Sequence, residues 1–143
     1  MLTLLLHLAG LFTVTLGTAH VFLPALLSFR SALLDRPPGW KVARPLRLWP
    51  TRYIVTLSDR LGVVWVSNHA ASYTLLTIGA IDLLAADWLV AGTGIAHWVA
   101  AWIAGFWLLR AASQLYFGRR SGDWVVLAWF AGLGCLHVLA ALA

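Results

Sequence analysis

Residues 61–109 read LGVVWVSNHA ASYTLLTIGA IDLLAADWLV AGTGIAHWVA AWIAGFWLL, and the charged side chains in that run are Asp82 and Asp87 alone. Seven of the ten basic residues fall instead between Arg30 and Arg60. A charge at the centre of a bilayer helix costs roughly 2.5–3.5 kcal/mol by insertion scales. A long run cleared of charge beside a short basic run is therefore the pattern of a polytopic membrane protein, and it predicts an all-α fold.

The rest of the composition agrees. The 143 residues are 62% hydrophobic and 10% charged, where a soluble domain carries about 25% charge. A single domain is expected at this length. The net charge of +5 comes from one lysine and nine arginines against five aspartates. These cations lie beside apolar segments, where they set topology and meet anionic headgroups, so the basicity does not indicate nucleic acid. Cys135 is the lone cysteine; it allows no internal disulfide and is expected to be buried at mid-helix and inert. No basic residue precedes the first apolar run, and Thr18-Ala19-His20 is a poor cleavage site, so Met1 onward is expected to be a retained membrane segment.

A bilayer core takes ~20 apolar residues of helix. Four crossings are predicted, at about 2–29, 61–84, 88–117 and 124–143, within one domain spanning 1–143. The connector 30–60 contains Pro37, Pro38, Pro45 and Pro50 with Trp40 and Trp49 among the arginines, as suits a chain lying in headgroups. Both basic stretches then share one side, which the positive-inside rule makes cytoplasmic. The expected architecture is an up–down four-helix bundle in the cell inner (plasma) membrane, with both termini on the non-cytoplasmic side. The third segment exceeds one crossing, which predicts tilt or protrusion. Repeats of small residues (Ala9, Thr13 and Gly17; Ala96, Ala100 and Ala104; Ala128 and Gly132) predict close helix contacts.

Histidines occur at 7, 20, 69, 97 and 137, all inside these segments, and an intramembrane ionisable residue is a functional hypothesis by default. His20 lies ten residues before Arg30 and His69 nine after Arg60, which places both roughly 15 Å deep at ~1.5 Å per residue. His97 and His137 lie thirteen residues from Arg110 and Trp124 and share a level slightly farther out. Paired histidines on facing helices are what bis-imidazole haem ligation requires. His20, His69, His97 and His137 are therefore candidate ligands to one tetrapyrrole, haem b or a chlorophyll-type pigment. With four helices, this arrangement resembles in outline the small four-helix b-type cytochromes; the likeness is one of architecture. Alternatively, each imidazole donates to a carbonyl or hydroxyl of a neighbouring helix.

Other polar groups form a candidate structural network: Asn68, Ser72 and Tyr73 on the second helix, Asp82 near its outer end, and Arg110 with Gln114 four apart on the third. Asn68 and Ser72 share one face, as do His69 and Tyr73, and such faces point into the bundle or at a partner. Asp82 is expected to be an outer-interface acid, with a proton relay as the sharper alternative. Arg110 is expected to pair with Asp59 or Asp123. No phosphate loop, hydrolase site or i, i+4 histidine pair is present, so enzymatic activity is not the leading expectation and no catalytic residue is assigned.

These features predict an accessory subunit of a larger respiratory or photosynthetic membrane complex, with room for one His-ligated tetrapyrrole. Its partners would be lipids and other membrane subunits or further copies of itself. The alternatives are a small proton-coupled carrier using His69, Asp82 and Arg110, and a membrane enzyme acting on a lipid-soluble substrate.

Overall fold

The computed structural model describes residues 1–26, 57–116 and 121–143. The described residues form α1 (Leu2–Leu26), α2 (Leu57–Leu84), the short α3 (Ala86–Val90), α4 (Ile95–Ser113), a 3-10 turn (Gln114–Tyr116) and α5 (Ser121–Leu142). Every element among the described residues is helical, as expected of a helical membrane protein. Three stretches, Leu2–Ala25, Ile95–Ser113 and Gly122–Leu142, are long and apolar enough to cross a bilayer. The basic connector through residue 56, with Arg119 and Arg120, lies outside the described residues.

Within these helices the hydroxyls turn back on their own backbones. Thr13 and Thr15 donate to the carbonyls of Ala9 and Leu11. Ser72, Thr74 and Ser113 do the same to Asn68, Ala70 and Leu109. This satisfies each donor where lipid offers no acceptor.

The segment expected to run unbroken over 88–117 is interrupted. Ala85 leaves the helical conformation at φ −133°, and α3 makes little more than one turn before the chain bends. Gly92 and Gly94 then take φ +61° and +58°, left-handed conformations that favour glycine. The long helix of this segment therefore begins only at Ile95, and the residues before it form a short helix and a turn.

The chain divides into two compact units, one of residues 1–15 with 75–143, the other of residues 16–74. In the first, Leu6 of α1, Ala86 and Leu89 of α3, Ala100 of α4 and Ala140 of α5 form a buried cluster. The α4 ladder is buried as its spacing predicts, with Ala96, Ala100 and Ala104 together with Ile103 and Trp107. Helices α4 and α5 run antiparallel: His97 meets Ala141 at one end, and the rings of Trp107 and Phe130 stand 5.3 Å apart nearer the other. On α5 the close approach is made by Gly134, where a Cβ would lie 2.7 Å from Leu108 Cδ2. Ala128 and Gly132 instead line a groove of about 590 Å³ with Leu8, Phe12 and Trp129.

Helices α1 and α2 touch backbone to backbone in this unit. A Cβ on Gly79 would stand 2.8 Å from Val14 N and 2.9 Å from Gly10 O, and one on Gly10 would stand 2.8 Å from Asp82 Cβ. In the second unit, Asn68 Nδ2 donates to His20 O at 2.8 Å.

Backbone atoms cannot yield as a side chain does, so Gly79→Ala is expected to destabilise the protein by about 1–3 kcal/mol. Gly132→Ala meets open space and is expected to be neutral or stabilising by up to about 1 kcal/mol. Thermal unfolding of the two variants in one detergent checks the contrast.

Candidate buried carboxylate–imidazole site

The first unit brings together two side chains 55 residues apart in sequence: His137 Nε2 lies 3.0 Å from Asp82 Oδ1. Both side chains have no exposed surface. Asp82 reaches the pair from the last turns of α2, where the glycine contact with α1 seals one side. His137 comes from the last two turns of α5.

The hydrogen-bond geometry fixes the tautomer of His137. Its Nδ1 lies 2.8 Å from Leu133 O, and a carbonyl only accepts, so Nδ1 carries a hydrogen and donates it. Nε2 is left facing the carboxyl group. At 3.0 Å those two atoms need one hydrogen between them, donated either by imidazolium to carboxylate or by carboxylic acid to neutral imidazole. Asp82 Oδ2 is buried and has no hydrogen-bond partner among the described residues. The indole N–H of Trp107 is in the same condition. Buried polar atoms nearly always find partners, so an orphaned carboxyl oxygen in an otherwise apolar bundle asks for a functional account.

The other candidate residues are placed as follows. All five imidazoles donate from Nδ1 to a backbone carbonyl. His7 uses Thr3 O, His20 uses Leu16 O and His69 uses Trp65 O, each within its own helix, while His97 crosses from α4 to Ala141 O of α5 at 2.7 Å. His69 is exposed and stacks on Trp65 with ring centres 5.5 Å apart. What links α1 and α2 in the second unit is the Asn68 amide on the His20 carbonyl. Ser72 is buried beneath it and Tyr73 is exposed.

A tetrapyrrole between His97 and His137 does not fit. His137 Nε2 is taken by Asp82, and α4 and α5 are in contact, with Gly134 against Leu108 and with Ala100 and Ala140 fully buried. A planar macrocycle would need those helices apart. For His20 and His69 the donating Nδ1 leaves Nε2 available, as axial ligation requires. No group of three or more His, Cys, Asp or Glu that could hold a metal ion occurs among the described residues.

On α4, Arg110 Nη1 donates to Gln114 Oε1 at 2.8 Å, and its guanidinium lies 5.2 Å from the Phe130 ring centre. The cation thus rests on an aromatic face, a contact that Arg's planar group suits. Cys135 is exposed on α5, contrary to the burial expected of it, because it falls on the face of α5 turned away from His137.

The pairing of Asp82 with His137 escapes a search for charged partners, because a histidine is not counted as a cation. The available signal was that both residues lie toward the ends of their helices on the same side of the bundle.

Asp82→Ala leaves His137 Nε2 buried without a partner and is expected to cost about 1–3 kcal/mol. Asp82→Asn keeps a donor for Nε2 and is expected to cost less. Unfolding midpoints of the two variants in detergent provide the check. No family model, curated protein or solved structure matches this chain.

Proposed function

We propose that the chain crosses the plasma membrane four times and works as a small proton-coupled carrier. Helices α1, α2, α4 and α5 are the crossings, in up–down order. The basic connector faces the cytoplasm, and both termini and α3 face the other side. The observation that carries the carrier reading is the Asp82–His137 pair: a carboxyl and an imidazole, fully buried, sharing one proton, with a carboxyl oxygen to spare. His137 takes the place that sequence reasoning gave to His69.

Stability alone is a poor explanation for such a pair. Well-packed apolar residues of similar volume commonly serve a buried core as well as or better than an ion pair. Intramembrane Asp and His that face each other inside a bundle are the usual components of proton relays.

A second reading, a subunit of a larger complex or a homo-oligomer, is favoured by one surface. Ile95, Trp98, Trp102 and Leu109 are 72%, 79%, 57% and 71% exposed, and their spacing sets them along one side of α4. Aromatic faces of this kind suit a neighbouring helix or a pigment carried between subunits.

Purified protein in liposomes is expected to carry protons down an imposed pH gradient, read by an enclosed pH dye. Asp82→Asn is expected to reduce the flux to that of protein-free liposomes while eluting as wild type on size exclusion. A colourless preparation with this flux supports the carrier. A Soret band lost on His20→Ala or His69→Ala would support the pigment-bearing subunit instead. For topology, in a Cys135→Ser background, Thr51→Cys is expected to react with an impermeant maleimide only from the cytoplasmic side and Thr93→Cys only from the other. Labelling of Thr51→Cys from outside would overturn the assigned orientation.

A further inference from the structure

The small residues of α5 do not all meet another helix. Gly134 lies against Leu108, but a Cβ on Gly132 would have no atom within 4 Å. Gly132 and Ala128 instead line the open groove of about 590 Å³ between α1 and α5. That volume falls within the roughly 300–1,000 Å³ of pockets that hold small molecules. Ala9 and Leu133 are its most buried members, while Leu8 and Trp129 are more than half exposed. Every lining side chain is apolar apart from the indole N–H of Trp129, so the walls offer little to a polar group or an ion. All of these residues belong to the first unit.

The groove has a direction and a closed end. Leu6 clusters with Ala140, and Phe12 meets Trp129, so α1 and α5 run antiparallel beside it. The rings of Phe12 and Trp129 stand 5.0 Å apart, tilted by 56°, and they close the groove on the side away from the start of α1. Phe12 is ten positions beyond Leu2, where α1 begins, which is roughly 15 Å of helix. The hydrocarbon core of a bilayer is about 30 Å thick. The groove therefore runs from the membrane face at the start of α1 to about the mid-plane, and stops there.

We propose that this groove binds one acyl chain of a membrane phospholipid, drawn from the leaflet that meets the start of α1. The inference goes beyond the carrier reading and does not rest on it. An acyl chain is thin, unbranched and free of polar atoms, and it ends near the mid-plane, where the aromatic pair closes the groove. A crossing helix does not end there, and one seated on Ala128 and Gly132 would be lifted off them where the two rings meet. A polyisoprenoid tail is longer than one leaflet and carries methyl branches, so it fits the closed end less well. The gain over bulk lipid comes from close packing against fixed walls, the same force that associates helices in a bilayer.

The test titrates the full-length protein in detergent with dipalmitoylphosphatidylcholine and reads the adducts by native mass spectrometry. One adduct per chain is expected to survive collision energies that strip further lipid. Dihexanoylphosphatidylcholine has the same headgroup but chains too short to fill the groove, and it is expected to be lost. Gly132→Leu places a side chain in the groove and is expected to lose the long-chain adduct while eluting as wild type on size exclusion. Ala128→Leu does the same from a second position, should the first variant fail to fold. Trp98→Leu, on the exposed face of α4, is expected to keep the adduct. Absence of any retained adduct, or equal retention by wild type and both groove variants, would overturn the proposal. So would equal retention of the short-chain lipid, which would assign the affinity to the headgroup. Preferential retention of a polyisoprenoid quinone would overturn it too, as would a dimer that Gly132→Leu dissociates, which would make a second copy the occupant.

Discussion

Hydrocarbon offers a polar group no solvent, and the arrangement of this protein follows from that constraint. The hydroxyls of Thr13, Thr15, Ser72, Thr74 and Ser113 bond to the carbonyl one turn back, and each histidine gives its Nδ1 hydrogen to a backbone oxygen. The Asn68 amide reaches across to the carbonyl of His20. The guanidinium of Arg110 is held by Gln114 and lies over Phe130. Among the described residues the buried carboxyl of Asp82 still holds an oxygen without a donor, as the Trp107 indole N–H lacks an acceptor. Where nearly everything polar has been satisfied locally, such an exception carries more information than it would in a water-soluble domain.

Helix packing puts that exception where it is. The contact of Gly10 with Gly79 brings two backbones together at the level of Asp82, which closes the site on the α1 side. The close contact of α4 with α5 at Gly134 and along the alanine ladder fixes the face of α5 that carries His137. Neither contact depends on large side chains interlocking. Both rely on residues small enough to let main chains meet, which is how association is achieved when no hydrophobic force acts between helices in lipid.

Much of this architecture is legible in the amino-acid order. The scarcity of charge over residues 61–109, where Asp82 and Asp87 are the charged residues, points to the membrane class, and the four-residue spacing of Ala96, Ala100 and Ala104 marks the buried face of α4. The break before α4 was less legible, although Ala91-Gly92-Thr93-Gly94 contains its cause. Glycine in an apolar run reads equally well as a helix contact or as a turn, and only the positive φ angles decide. The site was the least legible part. Depth counted from Trp124 matched His137 with His97, while α5 starts three residues earlier at Ser121. Asp82 reads as an outer-interface acid on a side where no basic residue is expected, and its actual partner is uncharged unless protonated. Contacts between residues 55 apart depend on how helices are rotated, which spacing within one helix does not record.

Cys135 sits two residues from His137 yet points out of the bundle. A single thiol thus lies on the outer face of the helix that holds the imidazole. A spin label or fluorophore attached there would observe α5 from outside the helix packing without any engineered residue. It would register rotation of that helix while leaving the buried partners untouched.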